Sequence, residues 1–399
     1  MSKRIFYVFS GVVVLLISGM VYAWSVFSSS IAAEFPQWSA ATLSLTFTLV
    51  MAFFCIGGLV GGFLAEKVKP SVYVWTAAVL FLLGFSISSK AQSPAVLYLG
   101  FGVLCGLGSG LSYNGVMSSI SKWFPDNQGL ISGILLMGFG LSSFIVGKLF
   151  HTMASASSWR NVFSLFGRVA AVVFVFFAFF IRKPEKQTSS VSETNDNSKD
   201  CPPLKMIIQP KFYLFFIWAL LMSAAGLALV SQASGLVTAS SSVSSSAVAV
   251  LVGLISVSNG IGRVLIGLLY DRKGGKKVMY LIDAMFILSA AGLFLAVRFN
   301  NVIMLVLAFL IGGSAYGGIT CTNAAYISAT FGQKYYPKNF AIINTNLLFA
   351  SFGSTVVGAL LDATSSYLSV SCMMAVLTVF GLLLTFGVWR KSGERKISM

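Results

Sequence analysis

The sequence predicts an all-α integral membrane protein, with twelve transmembrane helices in two six-helix halves. Three observations predict it. Of 399 residues, 57% are hydrophobic and only 10% charged, a balance foreign to a soluble chain of this size. Apolar runs near the ~20 residues needed to cross a bilayer recur along the whole chain. The basic residues fall almost entirely on alternate loops.

Span 1 covers about 5–27. It is too long for the apolar region of a signal peptide, and a second span follows closely. Spans 2 and 3, about 41–65 and 72–90, flank a basic loop. Spans 4 and 5, about 95–122 and 128–150, are joined by Lys122-Trp123-Phe124-Pro125-Asp126. Span 6 covers about 161–182. Residues 183–210 are rich in charge, Ser, Asn and Pro, and read as a solvated linker. They divide an N-terminal half, 1–182, from a C-terminal half, 211–399. Repeated halves mark many secondary transporters. Spans 7 to 12 follow at about 211–236, 246–270, 277–297, 301–327, 338–361 and 367–391.

The net charge of +16 could serve nucleic acid, but its distribution excludes that reading. With the N-terminus cytoplasmic, 21 of the 27 Lys and Arg face the cytoplasm and 4 face outside. Arg168 and Arg263 lie within spans. This positive-inside pattern predicts that both termini are cytoplasmic and supports the count of twelve. The five cysteines show no metal-site or disulfide spacing. One histidine, few acids within spans and no nucleophile–base pair argue against an enzyme. No cofactor or metal is expected.

Two loops at equivalent places in the halves match. The first reads Gly62, three residues, Glu66, Lys67, Val68, Lys69. The second reads Gly267, three residues, Asp271, Arg272, Lys273, with Lys276 and Lys277 beyond. The glycine lets helices approach closely. The acid can accept a charge-assisted bond from nearby bases or a helix N-terminus, forming a latch on the cytoplasmic side. A plain anchoring loop is the rival reading; two copies favour the latch.

Arg263 lies deep in an apolar run, where a charge is rare and marks a functional site. At helical spacing it shares a face with Ser256, Asn259, Gly260 and Gly267. Leu254, Ile261, Leu265 and Leu268 lie opposite. The polar stripe predicts a cavity; the alternative is snorkelling towards the cytoplasm. With no acid beside it, a substrate anion is the simplest counterion. Tyr22, Tyr113 and Tyr316 sit among small residues in spans 1, 4 and 10. Each could donate a hydroxyl and a ring wall, or pack as an ordinary aromatic. Arg168 and Asp283 read as structural charges that snorkel outward and to the cytoplasm, respectively. His151 reads as solvated.

The paired loops and the twelve-span layout resemble the major facilitator superfamily, although Glu66 and Lys69-Pro70 depart from its pattern. Further segments are similar to the oxalate/formate antiporter family, relatives of the monocarboxylate transporters. They are Ser18 to Ser25, Lys122 to Asp126, Gly129 to Gly133, Asn259 to Arg263, Thr322-Asn323 and Asn339-Phe340. The resemblance implies that Arg263 pairs with a substrate carboxylate and that Tyr22, Tyr113 and Tyr316 line the site. Oxalate-carrying members have a second cation in span 11; here Asn346 or Leu347 stands at that place. One cation leaves a dianion half-neutralised, which a low-dielectric site disfavours. Asn344, Thr345 and Asn346 offer neutral polarity instead, for a substrate hydroxyl or for packing.

The expected protein is a monomeric plasma-membrane carrier of a small organic anion, a monocarboxylate. It works by alternating access, as exchanger or uniporter. Its partners are that anion and the lipid bilayer, not nucleic acid. The alternatives are a proton-coupled carboxylate symporter, a carrier of a neutral or cationic solute, and a membrane anion sensor that does not transport.

Overall fold

The computed structural model describes residues 2–184, 200–240 and 245–389. Most of the expected linker, and Arg390, Lys391, Arg395 and Lys396, lie outside the described residues. Among the described residues the regular elements are helices.

Twelve helices are long and apolar enough to span a membrane. The first six are Arg4–Glu34, Leu45–Leu64, Pro70–Ser88, Pro94–Trp123, Pro125–Ala156 and Trp159–Ala178. The last six are Pro210–Ser231, Val250–Lys273, Gly275–Phe299, Val302–Phe331, Tyr336–Thr364 and Leu368–Trp389. They keep the numbers 1 to 12 used for the predicted spans. Local chemistry fixes their ends. Proline occupies the first turn of spans 3, 4, 5, 7 and 11, where its missing N–H costs nothing. Ser39, Ser158 and Asn301 cap spans 2, 6 and 10 through their side chains. Between spans 8 and 9, Gly274 has φ +78°, a left-handed turn that glycine adopts without strain.

Large apolar side chains such as Val172, Phe176, Leu383 and Phe386 stand more than half exposed. Hydrocarbon is their solvent, so outward exposure carries no hydrophobic penalty. The interruptions differ in burial: Gly19–Ala23 is largely buried, whereas Thr345 and Ser351 are half-buried. Span 1 tightens to a 3-10 turn over Gly19–Ala23, and span 11 breaks at Thr345 and Ser351. Irregular backbone at membrane depth persists only where protein or a water-filled cavity surrounds it.

Span 5 packs along span 8 and also meets span 10. Span 2 packs against the Tyr336–Asn344 and Asn346–Ala350 sections of span 11. The last section, Phe352–Thr364, packs mainly on spans 7 and 12. The two sets of six helices therefore meet closely on the face that carries the linker. The described end of the linker is tied there too. The Cys201 N–H donates to the Phe331 carbonyl (3.0 Å), and Asn339 Nδ2 donates to the Cys201 carbonyl (2.9 Å).

Candidate functional site

Arg263 is buried, with 7% exposure. The expected stripe appears in part: Asn259, Gly260 and Gly267 are buried and Ile261 and Leu265 are 50% and 54% exposed, while Ser256, Leu254 and Leu268 are all half-buried. The guanidinium does not snorkel. Its Nε donates to Asn259 Oδ1 (2.9 Å), one turn back. One Nη1 hydrogen goes to the Leu136 carbonyl of span 5 (2.7 Å). Both partners are neutral. Among the described residues Arg263 forms no ion pair, the two present being Arg160–Glu34 and Lys338–Glu66. Of five N–H donors on a guanidinium, the others have no hydrogen-bond partner among the described residues.

Sequence reasoning missed two of the groups that hold this arginine. The Leu136 carbonyl carries no sequence signal. Gly140 is the other. A Cβ there would lie 3.0 Å from Arg263 Nε and 3.1 Å from its Cζ. Its glycine-rich setting, Gly138-Phe139-Gly140, is the one available clue. Gly140→Val is expected to push the guanidinium off its partners and cut substrate uptake about tenfold or more. Gly140→Ala should do less. Initial uptake rates, normalised to reconstituted protein, check this.

The three tyrosines converge on the arginine. Tyr22, Tyr113 and Tyr316 each interact electrostatically with Arg263, and Tyr22 with both other phenols. Phe139 of span 5 joins two of them, with its ring 5.2 Å from Tyr22 and 5.2 Å from Tyr113, both edge-on. The Tyr22 hydroxyl has only a weak contact with Met51 Sδ at 3.7 Å. The hydroxyls of Tyr113 and Tyr316 have no hydrogen-bond partner among the described residues. Phenol donors without acceptors thus stand near a cation without a counterion among the described residues.

Other expectations meet different surroundings. Asn346 is fully buried, and its Nδ2 donates to the Ile343 carbonyl (2.7 Å). That bond ties it to its own helix at the break, while its Oδ1 is buried without a hydrogen-bond partner among the described residues. Leu347 is buried as well. Asp283 does not snorkel to the face of the linker. It is completely buried between spans 9, 7 and 12, accepting from Trp218 Nε1 (2.8 Å) and Thr385 Oγ1 (2.6 Å). The partners sit on other helices, invisible to an argument about depth along span 9. Asp283→Ala is expected to lower thermal stability, because it leaves a buried indole N–H and a hydroxyl unpaired, about 1–3 kcal/mol each. Apparent substrate affinity should stay unchanged; a melting curve with an uptake titration separates the two. Arg168 is exposed and donates back to the Ser164 carbonyl, and His151 is exposed. No group of His, Cys, Asp and Glu among the described residues could hold a metal.

The family pattern of the Major Facilitator Superfamily matches residues 8–352. The chain belongs to the major facilitator superfamily. Similar proteins include the MFS-type transporter YhjX of Escherichia coli, 25% identical over 82% of this chain and 80% of its own. The oxalate:formate antiporter of Oxalobacter formigenes is 24% identical over 95% of this chain and 90% of its own. Monocarboxylate transporter 13 of Rattus norvegicus is 31% identical over 38% of this chain and 35% of its own. A solved proton:xylose symporter bound to 6-bromo-6-deoxy-D-glucose shares the fold. Its TM-score is 0.75 over 97% of this chain and 96% of that one, at 16% identity. The protein is thus a multi-pass membrane transporter of small molecules, not an enzyme.

In this superfamily member the two matching loops both reach across to the opposite set of helices. Asp271 accepts from the backbone N–H groups of Gly129 and Leu130, each at 2.8 Å. It caps the N-terminus of span 5, where the helix dipole favours an anion. Gly267 makes this possible, since a Cβ there would strike the Gly129 carbonyl. Glu66 instead pairs with Lys338 of span 11 at 2.9 Å. At Gly62 a Cβ would lie 2.5 Å from the Pro337 carbonyl oxygen. The bases inside the motifs, Lys67, Arg272 and Lys276, are exposed and bridge neither acid. The acids find their partners on distant helices.

Proposed function

We propose that this transporter carries a small organic anion, a monocarboxylate, across the plasma membrane by alternating access, as an exchanger or uniporter. The observation that carries the proposal is the buried Arg263 guanidinium, held by an amide and a carbonyl and balanced by no acid. A substrate carboxylate supplies the missing charge through paired N–H···O bonds. Tyr113, Tyr316 and Tyr22 donate to it and enclose its carbon skeleton; Asn259 holds the arginine in place. One cation suits one negative charge. Similarity to an oxalate:formate antiporter and to monocarboxylate transporters supports the same substrate class.

The halves 1–182 and 211–399, joined by the linker 183–210, rock about this site as a monomer. The basic loops and both termini face the cytoplasm. The paired latches then seal the cytoplasmic side, so the site is approached from outside. Among the described residues no acid pairs with Arg263, which favours exchange or uniport over proton symport.

Uptake of labelled formate, lactate, pyruvate and oxalate into proteoliposomes tests the reading. Monocarboxylates should be taken up and should drive counterflow, with oxalate poor. Transport of sugars or amines but no carboxylate would sink it. Uptake stimulated by an inward proton gradient would replace exchange by symport, and binding without flux would make the protein a sensor.

A further inference from the structure

Three lysines from three helix ends crowd around one acid on the linker face. Lys122 ends span 4, Lys183 follows span 6, and Lys338 lies in the first turn of span 11. All three are half-buried. Lys338 Nζ pairs with Glu66. Among the described residues the Lys183 ammonium donates only to the Ala65 carbonyl and has no ionic partner. Lys122 forms no hydrogen bond or ion pair among the described residues; it repels Lys183 and is drawn towards Glu66. Burial holds the Lys183 ammonium below the ordinary lysine range, with Glu66 opposing. Among the described residues, three cations thus share one anion in a partly desolvated place.

Lys67, Lys69, Lys273, Lys276 and Lys277 of this face are exposed instead. Lys211 is half-buried too, but it stands alone over the Trp389 ring, 5.4 Å from its centroid. The triad also lies beside an aromatic–arginine cluster. Trp123, next to Lys122, donates its indole N–H to the Arg182 carbonyl (2.8 Å), and the Arg4 guanidinium stands 6.0 Å from its ring. Tryptophan flanked by arginines is typical of the membrane–water interface.

We propose that Lys122, Lys183 and Lys338 form a binding site for a phosphate-bearing anion, the headgroup of a net-anionic phospholipid or free phosphate. Clustered half-buried ammonium groups repel, and phosphate oxygens accept charge-assisted bonds from all of them. Basic pockets between helices on this side of a membrane take anionic headgroups. The bound phosphate would bridge Lys122 and Lys183 of the first six helices to Lys338 of the last six. It would therefore stabilise the state in which the linker face is closed.

The test uses the full chain in nanodiscs of pure phosphatidylcholine, the same with phosphatidylglycerol, and the first with inorganic phosphate in the buffer. Phosphatidylglycerol should raise the apparent Tm of the parent and of Lys273→Gln/Lys277→Gln, which loses the same charge elsewhere on the face. Lys122→Gln/Lys183→Gln should show no such rise, with apparent lipid affinity about 30-fold weaker. In pure phosphatidylcholine that variant should be at least as stable as the parent, since repulsion is gone; this separates a lost site from a lost fold. A rise with inorganic phosphate as well makes any phosphate a ligand; a rise with phosphatidylglycerol alone makes it a lipid site. Equal rises in all three proteins, or none in the parent, overturn the proposal. No substrate is needed, so the outcome is independent of the carboxylate reading.

Discussion

Arg263→Ala is expected to abolish carboxylate uptake and to weaken carboxylate binding about 100-fold or more. Removing one member of a buried, hydrogen-bonded charge pair costs about 2–5 kcal/mol, and each 1.4 kcal/mol is tenfold in affinity. The loss should fall on binding, because the guanidinium is the sole cation beside the three phenols. Arg263→Lys keeps the charge but not the planar fork, and cannot satisfy Asn259, the Leu136 carbonyl and a carboxylate together. It should retain weak, low-affinity transport. Arg168→Ala, which removes an exposed lipid-facing charge, should transport like the parent. Ligand-induced thermal shifts with formate and pyruvate check affinity, and proteoliposome uptake checks flux. An Arg263→Ala protein that melts normally and transports normally would falsify the site.

The spans were legible because a bilayer permits few solutions. Backbone groups must be bonded within each segment, and twenty apolar residues are needed each time. The face of span 8 was legible for a related reason: Ile261 and Leu265 are soluble in lipid, and Asn259 and Arg263 are not. What lay beyond the sequence was every partner set by the crossing of two helices. The carbonyl that holds Arg263 is 127 positions away, and the lysine that holds Glu66 is 272 away. Asp283 looked like a snorkelling charge because its depth along one helix is readable, whereas Trp218 and Thr385 beside it are not. The bond from Asn346 to the Ile343 carbonyl was not legible, because no signal in the sequence announced the break in span 11.

The same geometry predicts that the two latches are unequal. Asp271→Ala is expected to open the linker face, whereas Glu66→Gln should barely move it. Asp271 is half-buried and accepts two charge-assisted bonds at a helix N-terminus. Such bonds contribute about 1.5–3 kcal/mol each before solvent screening. A net loss of about 2 kcal/mol shifts the closed–open ratio about 30-fold. The Glu66 side chain is 59% exposed, and surface ion pairs contribute about 0–1 kcal/mol and fade with salt. Its pH dependence has a definite sign. The bond from Lys338 holds the Glu66 carboxyl below its ordinary range. The contribution is therefore complete above the ordinary glutamate pKa, about 4.3, and disappears as pH falls through the lowered value. Spin labels at Lys69→Cys and Lys277→Cys, with the native cysteines replaced, report the separation of the two loops. Asp271→Ala should lengthen the dominant distance at neutral pH in any salt. Glu66→Gln should leave it nearly unchanged, with its small effect lost at high ionic strength. Equal effects would mean that the helix-capping bonds are no stronger than the surface pair and that closure rests on helix packing alone.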